Sequence, residues 1–136
     1  MTTTTDLHWK RILAGGIAPH AISITLLIVV IIGYTFLVSF ATGGEPDPGS
    51  MQQFNTVSGT QLFPIVTILL TVPTAAWVVK RVDSQTAVLH GLAVGILAGL
   101  LGLGFGALDL LMVARFGATV LAGVLGAKLA PAFFSE

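Results

Sequence analysis

Cysteine is absent from the 136 residues, which removes disulfides, thiolate nucleophiles and cysteine-held metals or clusters. Charge is almost as scarce. Lys and Arg together number 6 and Asp and Glu 6, for a net charge of zero. No basic patch argues for a nucleic-acid partner. Every carboxylate lies at the edge of an apolar stretch or near a terminus, so no paired-carboxylate or Ser-His-Asp arrangement is within reach. The glycines follow no strand and precede no Gly-Lys-Ser/Thr, so they are not a phosphate loop. These absences point to a protein that is not an enzyme.

Apolar residues fill the space that charge leaves. No Asp, Glu, Lys or Arg occurs between Arg11 and Glu45, between Asp47 and Lys80, or between Asp83 and Asp109. Between Asp109 and Lys128 there is only Arg115. A helix needs about 20 mostly apolar residues to cross a bilayer core, so four spans consume roughly 85–95 residues. That leaves no room for a separate soluble domain. The expected fold is all-α, a single four-helix transmembrane bundle, with the lipid bilayer as its first partner. Its spans are expected at about 18–41, 62–81, 84–104 and 108–129, with an outer loop at 42–61. The first apolar run is too long for a signal-peptide core of about 7–15 residues and is read as an uncleaved helix.

Local signals set these boundaries. Asp6, Trp9, Ile12 and Leu13 suit a short interfacial helix beside Lys10 and Arg11. Gly15-Gly16 is expected to interrupt it, and Pro19 to open the true span. Glu45 to Ser50 reads as loop because it holds two prolines and a glycine, and the polar residues through Thr60 extend it. Pro73, inside the second span, frees the carbonyl of Leu69. Pro131 is expected to stop the fourth. Lys10, Arg11, Lys80, Arg81 and Lys128 fall on one side of this topology, and Glu45, Asp47 and Asp109 on the other. The excess of basic residues on cytoplasmic loops then puts both termini in the cytoplasm of a cell with the chain in its inner membrane.

Glycine is abundant, at 16 residues, and patterned. Gly91, Gly95 and Gly99 recur every fourth residue in the third span, with Ala98, Gly102 and Gly106 on a neighbouring face. The fourth span answers with Ala118, Ala122, Gly126 and Ala130. Small residues at this spacing let two membrane helices approach closely. One row suffices for a tight hairpin within the chain. A second is available to a homo-oligomer or to a larger membrane-protein partner.

Polar groups within the spans are the remaining candidates, because such groups are costly to insert. Arg115 lies about two turns into the fourth span, where it can snorkel outward or toward Asp109, although six residues apart the two do not share a helix face. Thr67, Thr71 and Thr74 form a stripe beside Pro73. Such a stripe lines a water or ion path in one reading and bonds back to its own helix in the other. Ser23, Thr25, Tyr34 and Ser39 of the first span are ambiguous in the same way. His20 and His90, each nine residues after a Lys-Arg pair, are expected near the cytoplasmic face. Two facing histidines can hold haem b, bind a metal or relay protons, or simply sit at the interface.

Ala76-Trp-Val-Val-Lys-Arg81, Ala87-Val-Leu-His-Gly-Leu-Ala-Val-Gly95 and Ala122-Gly-Val-Leu-Gly126 together resemble a group of small prokaryotic four-helix membrane proteins. In that group a basic pair closes helix 2, His-Gly-x-x-x-Gly opens helix 3 and a glycine-rich helix 4 ends the chain. The resemblance implies a four-helix bundle with His90-Gly91 at the cytoplasmic mouth of the third span. It carries no activity. The long outer loop and Arg115 depart from the pattern. The functions open at this level are a helix-packing protein working as a homo-oligomer or accessory subunit, an oligomeric channel or transporter for a small solute or ion, and a bis-histidine haem anchor.

Overall fold

The computed structural model describes residues 8–104 and 108–134. It is helical throughout, with α1 (Trp9–Thr42), α2 (Pro48–Val57), α3 (Phe63–Val79), α4 (Ser84–Leu103) and α5 (Leu110–Phe134). A π-helical turn, Ser58–Leu62, joins α2 to α3. The four helical runs 9–42, 48–79, 84–103 and 110–134 are each long and apolar enough to cross a membrane. Four such helices suggest a multi-pass membrane protein.

The core lies where α1, α3, α4 and α5 meet. Ile12, Ala75, Ala76, Val78, Val94 and Ala127 are all buried there. α1 contributes Ile12, Gly15, Gly16, Pro19, His20 and Ser23 to the interior. These positions recur every three or four residues, the spacing of one helix face. Gly15-Gly16 was expected to break the helix, and instead α1 runs through it. A Cβ on Gly16 would stand 2.6 Å from Leu97 Cδ2, and one on Gly15 would collide with Val78. The pair gives α1 a seam on which α3 and α4 press directly. Pro19 accordingly lies inside α1 rather than at its start.

The outer segment also differs from expectation. Thr42-Gly43-Gly44 does end α1, with Gly43 at φ 68° as the left-handed cap, a conformation that suits glycine. Beyond it the loop is short. Asp47 caps α2 by accepting from the Ser50 amide at 2.8 Å, and Pro48 takes the first helical position. From there the helix is continuous to Val79. The polar composition of residues 48–61 suggests loop, but an Asp-Pro start is a helix signal, because the proline's missing N–H is unpaired there anyway. At the other end, α5 passes through Pro131 to Phe134. Lys80 Nζ sits 4.8 Å from the centre of the Phe134 ring, tying the end of α3 to the end of α5.

At about 1.5 Å per residue, the 34 residues of α1 measure roughly 51 Å. The last buried residue of α1 is Ser23. Residues 24–42 form an arm beyond the buried core that touches α2 through two side-chain contacts. Tyr34 stacks on Phe54 at 3.8 Å between ring centres, and the Thr35 hydroxyl reaches Met51 Sδ at 4.0 Å.

α4 and α5 are joined by their small residues. A Cβ on Gly95 would lie 2.8 Å from Val120 Cα and 2.9 Å from the Thr119 carbonyl oxygen. One on Gly99 would lie 2.6 Å from the Phe116 ring, and one on Gly91 would meet Ala127 and the Gly123 carbonyl. Gly126 performs the same service toward α3, facing Val72 and Ala75. Ala122 is buried in the same region, whereas Ala118 is only partly covered. The Gly91–Gly95–Gly99 row is thus occupied by the chain's own α5.

Candidate functional site

A cavity of about 370 Å³ opens where α1, the π-helical turn, α3, α4 and α5 converge, at the end of the bundle away from Lys80. Drug-sized ligands occupy pockets of roughly 300–1,000 Å³, so the space holds a small molecule or a headgroup. Ala98, Gly99 and Gly102 of α4 make its floor, and the room exists because these residues are small. A Cβ on Gly102 would find only His20 Nε2, at 3.8 Å. Phe63, Ile68, Leu111 and Phe116 make apolar walls.

Four polar features converge on that apolar frame. Thr67 Oγ1 lies 2.9 Å from both Ser23 Oγ and the Phe63 carbonyl, which ties α3 to α1 at the level where the arm departs. Thr119 donates to the Arg115 carbonyl at 2.8 Å. Asp109 Oδ1 accepts from the Met112 amide at 2.7 Å, so the carboxylate is an N-cap for α5. Arg115 Nη2 donates to the Thr60 carbonyl at 2.7 Å. Thr60 stands in the π-helical turn, and such turns disturb the i→i−4 ladder and favour functional sites. Pro64, four residues on, has no N–H to give to the Thr60 carbonyl, which leaves that acceptor to the guanidinium.

Asp109 and Arg115 both line the cavity, yet among the described residues no carboxylate lies within ion-pair distance of Arg115. Each charge is held by a neutral backbone group. A carbonyl orients a guanidinium without cancelling its charge, which leaves that charge to interact with whatever enters.

Of the residues singled out from sequence, Thr67, Asp109, Arg115, His20, Gly99 and Gly102 meet at this cavity. Thr71, Thr74 and Pro73 do not line it. Thr71 is fully buried and donates to the Thr67 carbonyl at 2.8 Å, and Thr74 donates to Leu70 at 2.9 Å. The row Ala98–Gly102 faces the cavity; its continuation at Gly106 lies outside the described residues.

The two histidines are not brought together. His20 is beside Gly102, twelve residues along α4 from His90, which is roughly 18 Å at 1.5 Å per residue. His20 is therefore at the cavity end of the bundle and His90 at the other, whereas the sequence places both near one face. His90 is fully buried. Its Nδ1 lies 2.9 Å from the Thr86 carbonyl and its Nε2 accepts from the His8 amide at 3.2 Å. Carbonyl oxygen only accepts and the amide only donates, a pattern that matches the tautomer with its proton on Nδ1. With both nitrogens hydrogen-bonded, His90 fastens the start of α1 to α4. Among the described residues no three His, Asp or Glu side chains gather as a metal site.

Sequence reasoning missed Gly59, Thr60 and Gln61, which also line the cavity. Their signal was available, a Gly-Thr-Gln break directly before an apolar run, but it reads equally as loop. Comparison with known protein families, with curated proteins and with solved structures gives no match to this chain.

Proposed function

We propose that this chain is a non-enzymatic inner-membrane protein that binds a small solute or lipid headgroup in the cavity between its helices, in the service of transport. One observation carries this reading: Arg115, five residues into α5, lines a cavity beside a π-helical turn and is met there by a neutral carbonyl. An arginine serving only as an anchor needs no cavity. The boundary cations Lys10, Arg11, Lys80 and Arg81 support a cytoplasmic placement of both termini, with the cavity toward the outer face.

The absence of cysteine makes the test clean. Maleimides react with hydrated thiols, so single-cysteine variants report water. Ile68 lines the cavity and its neighbour Leu69 is 64% exposed on the outer surface of the helix. In membranes, Ile68→Cys is expected to label with an impermeant maleimide added from outside, and Leu69→Cys to resist it. An unlabelled Ile68→Cys contradicts the reading.

A second reading, a subunit of a larger membrane assembly or homo-oligomer, is favoured by the α1 arm. No residue of 24–42 is buried, and Ile32, Phe36 and Phe40 are 63%, 69% and 83% exposed. Cross-linking from Phe36→Cys in native membranes tests it. Adducts between copies or to another protein support assembly, and lipid adducts alone contradict it.

A further inference from the structure

We infer that the cavity takes a zwitterion, its phosphate or carboxylate on Arg115 and its ammonium on Asp109. This rests on the binding reading above and names the ligand's chemical class. Two opposite charges line one cavity and are kept apart. Arg115 and Asp109 are six residues apart, on different faces of α5. The bond to Thr60 at 2.7 Å and the bond from Met112 at 2.7 Å hold them in place.

Neither group is exhausted by its bond. A guanidinium carries five N–H donors and a carboxylate two oxygens. Arg115 spends one donor on Thr60, and Asp109 accepts through Oδ1 alone. A purely anionic ligand attracted to Arg115 would meet Asp109, and a purely cationic one would meet Arg115. A molecule carrying both charges satisfies both. Its phosphate or carboxylate takes the guanidinium's remaining donors, a stronger bond than one to a neutral carbonyl, while Thr60 keeps the side chain in place. The walls formed by Phe63, Leu111 and Phe116 then contact the carbons between or beyond the charges. A phosphoethanolamine headgroup and a free molecule of the same charge pattern share this chemistry.

The experiment is native mass spectrometry of the full chain, delipidated in detergent and titrated with phosphatidylethanolamine or phosphatidylglycerol of matched tails. Free phosphoethanolamine serves as competitor. Phosphatidylethanolamine is expected to bind at least tenfold more tightly than phosphatidylglycerol. Arg115→Gln is expected to cost at least tenfold for both lipids. Asp109→Asn keeps an N-cap for α5, since Asn caps as well as Asp, and is expected to shift the preference toward phosphatidylglycerol. Competition by phosphoethanolamine identifies a free zwitterion as sufficient. Its failure to compete identifies the lipid. Either result supports the inference.

Equal or tighter binding of phosphatidylglycerol to the wild type overturns the inference, as does an Asp109→Asn variant whose preference is unchanged. Gly102→Leu, which fills the cavity without a backbone clash, separates the two levels. If it abolishes an unselective binding, the zwitterion is wrong and the cavity reading stands. If it leaves all binding intact, the cavity reading itself fails.

Discussion

Gly95→Ala is the sharpest test of the packing that frames the cavity. The added Cβ would stand 2.8 Å from Val120 Cα, 2.9 Å from the Thr119 carbonyl oxygen and 2.9 Å from the Val120 carbonyl oxygen. All three are backbone atoms, so no side-chain rotation relieves them. Reaching the 3.4 Å at which ordinary contact begins requires α4 and α5 to part by 0.6 Å, the difference between 3.4 and 2.8. A gap of about 0.5–1 Å forfeits a quarter to a half of each dispersion well along the seam. Overpacking costs about 1–3 kcal/mol, and backbone-only contacts place this site at the upper end. Alanine's better helix propensity returns about 1 kcal/mol. The expected net loss is about 2 kcal/mol, roughly a 30-fold shift in the folding equilibrium. Gly117→Ala is the control, because its Cβ meets nothing within 4 Å. It keeps the propensity gain and is expected to be neutral or more stable. Unfolding in mixed micelles titrated with SDS, followed through Trp9 and Trp77, compares the two. A Gly95→Ala protein as stable as Gly117→Ala would refute the reasoning.

Further outcomes follow from the same contacts. Asp47 has its carboxyl held below the usual carboxylate range by the amide and hydroxyl of Ser50. A depressed acid stabilises the folded form above its unfolded pKa, and the effect fades as pH falls through the folded value. Amide exchange at Ser50 and Met51 is therefore expected to be slow at neutral pH and to lose protection in acid, and Asp47→Ala should abolish the difference. In ¹⁵N-histidine spectra, His90 is expected as the neutral Nδ1–H form, fixed by Thr86 and His8; an Nε2–H signature would contradict that assignment. Lys80→Met is expected to lose about 0.5–1 kcal/mol through the Phe134 ring contact, with Phe134→Leu costing no more in its presence. A double-mutant cycle reads this, and simple additivity would count against the contact.

The four apolar helices were legible from charge spacing alone, because a bilayer span is set by length and hydropathy. The contact between Gly91–Gly95–Gly99 and α5 was legible too, as one of two stated uses of that row. What the sequence hid are features that depend on who faces whom. Gly15-Gly16 carries the same letters whether it breaks a helix or admits a neighbour, and only the presence of Val78 and Leu97 decides. The segment 48–61 is polar and yet helical, and its residues 59–61 line the cavity. The Arg115 partner lies fifty-five residues away in the chain and is a backbone carbonyl, which no residue type advertises. His20 was misplaced for a related reason. Its depth was counted from Lys10-Arg11, whereas α1 enters the bundle with residues 9–23 and carries the most apolar run out of it as the arm.

In the proposed function each chain holds a small ligand in the cavity against Arg115. The mass of the intact particle, extracted from native membranes and measured without denaturation, tests it most directly. Each chain is expected to carry an additional small-molecule mass that Gly102→Leu and Arg115→Gln both remove. Bare chains in the wild type, or an adduct that survives both substitutions, would contradict it.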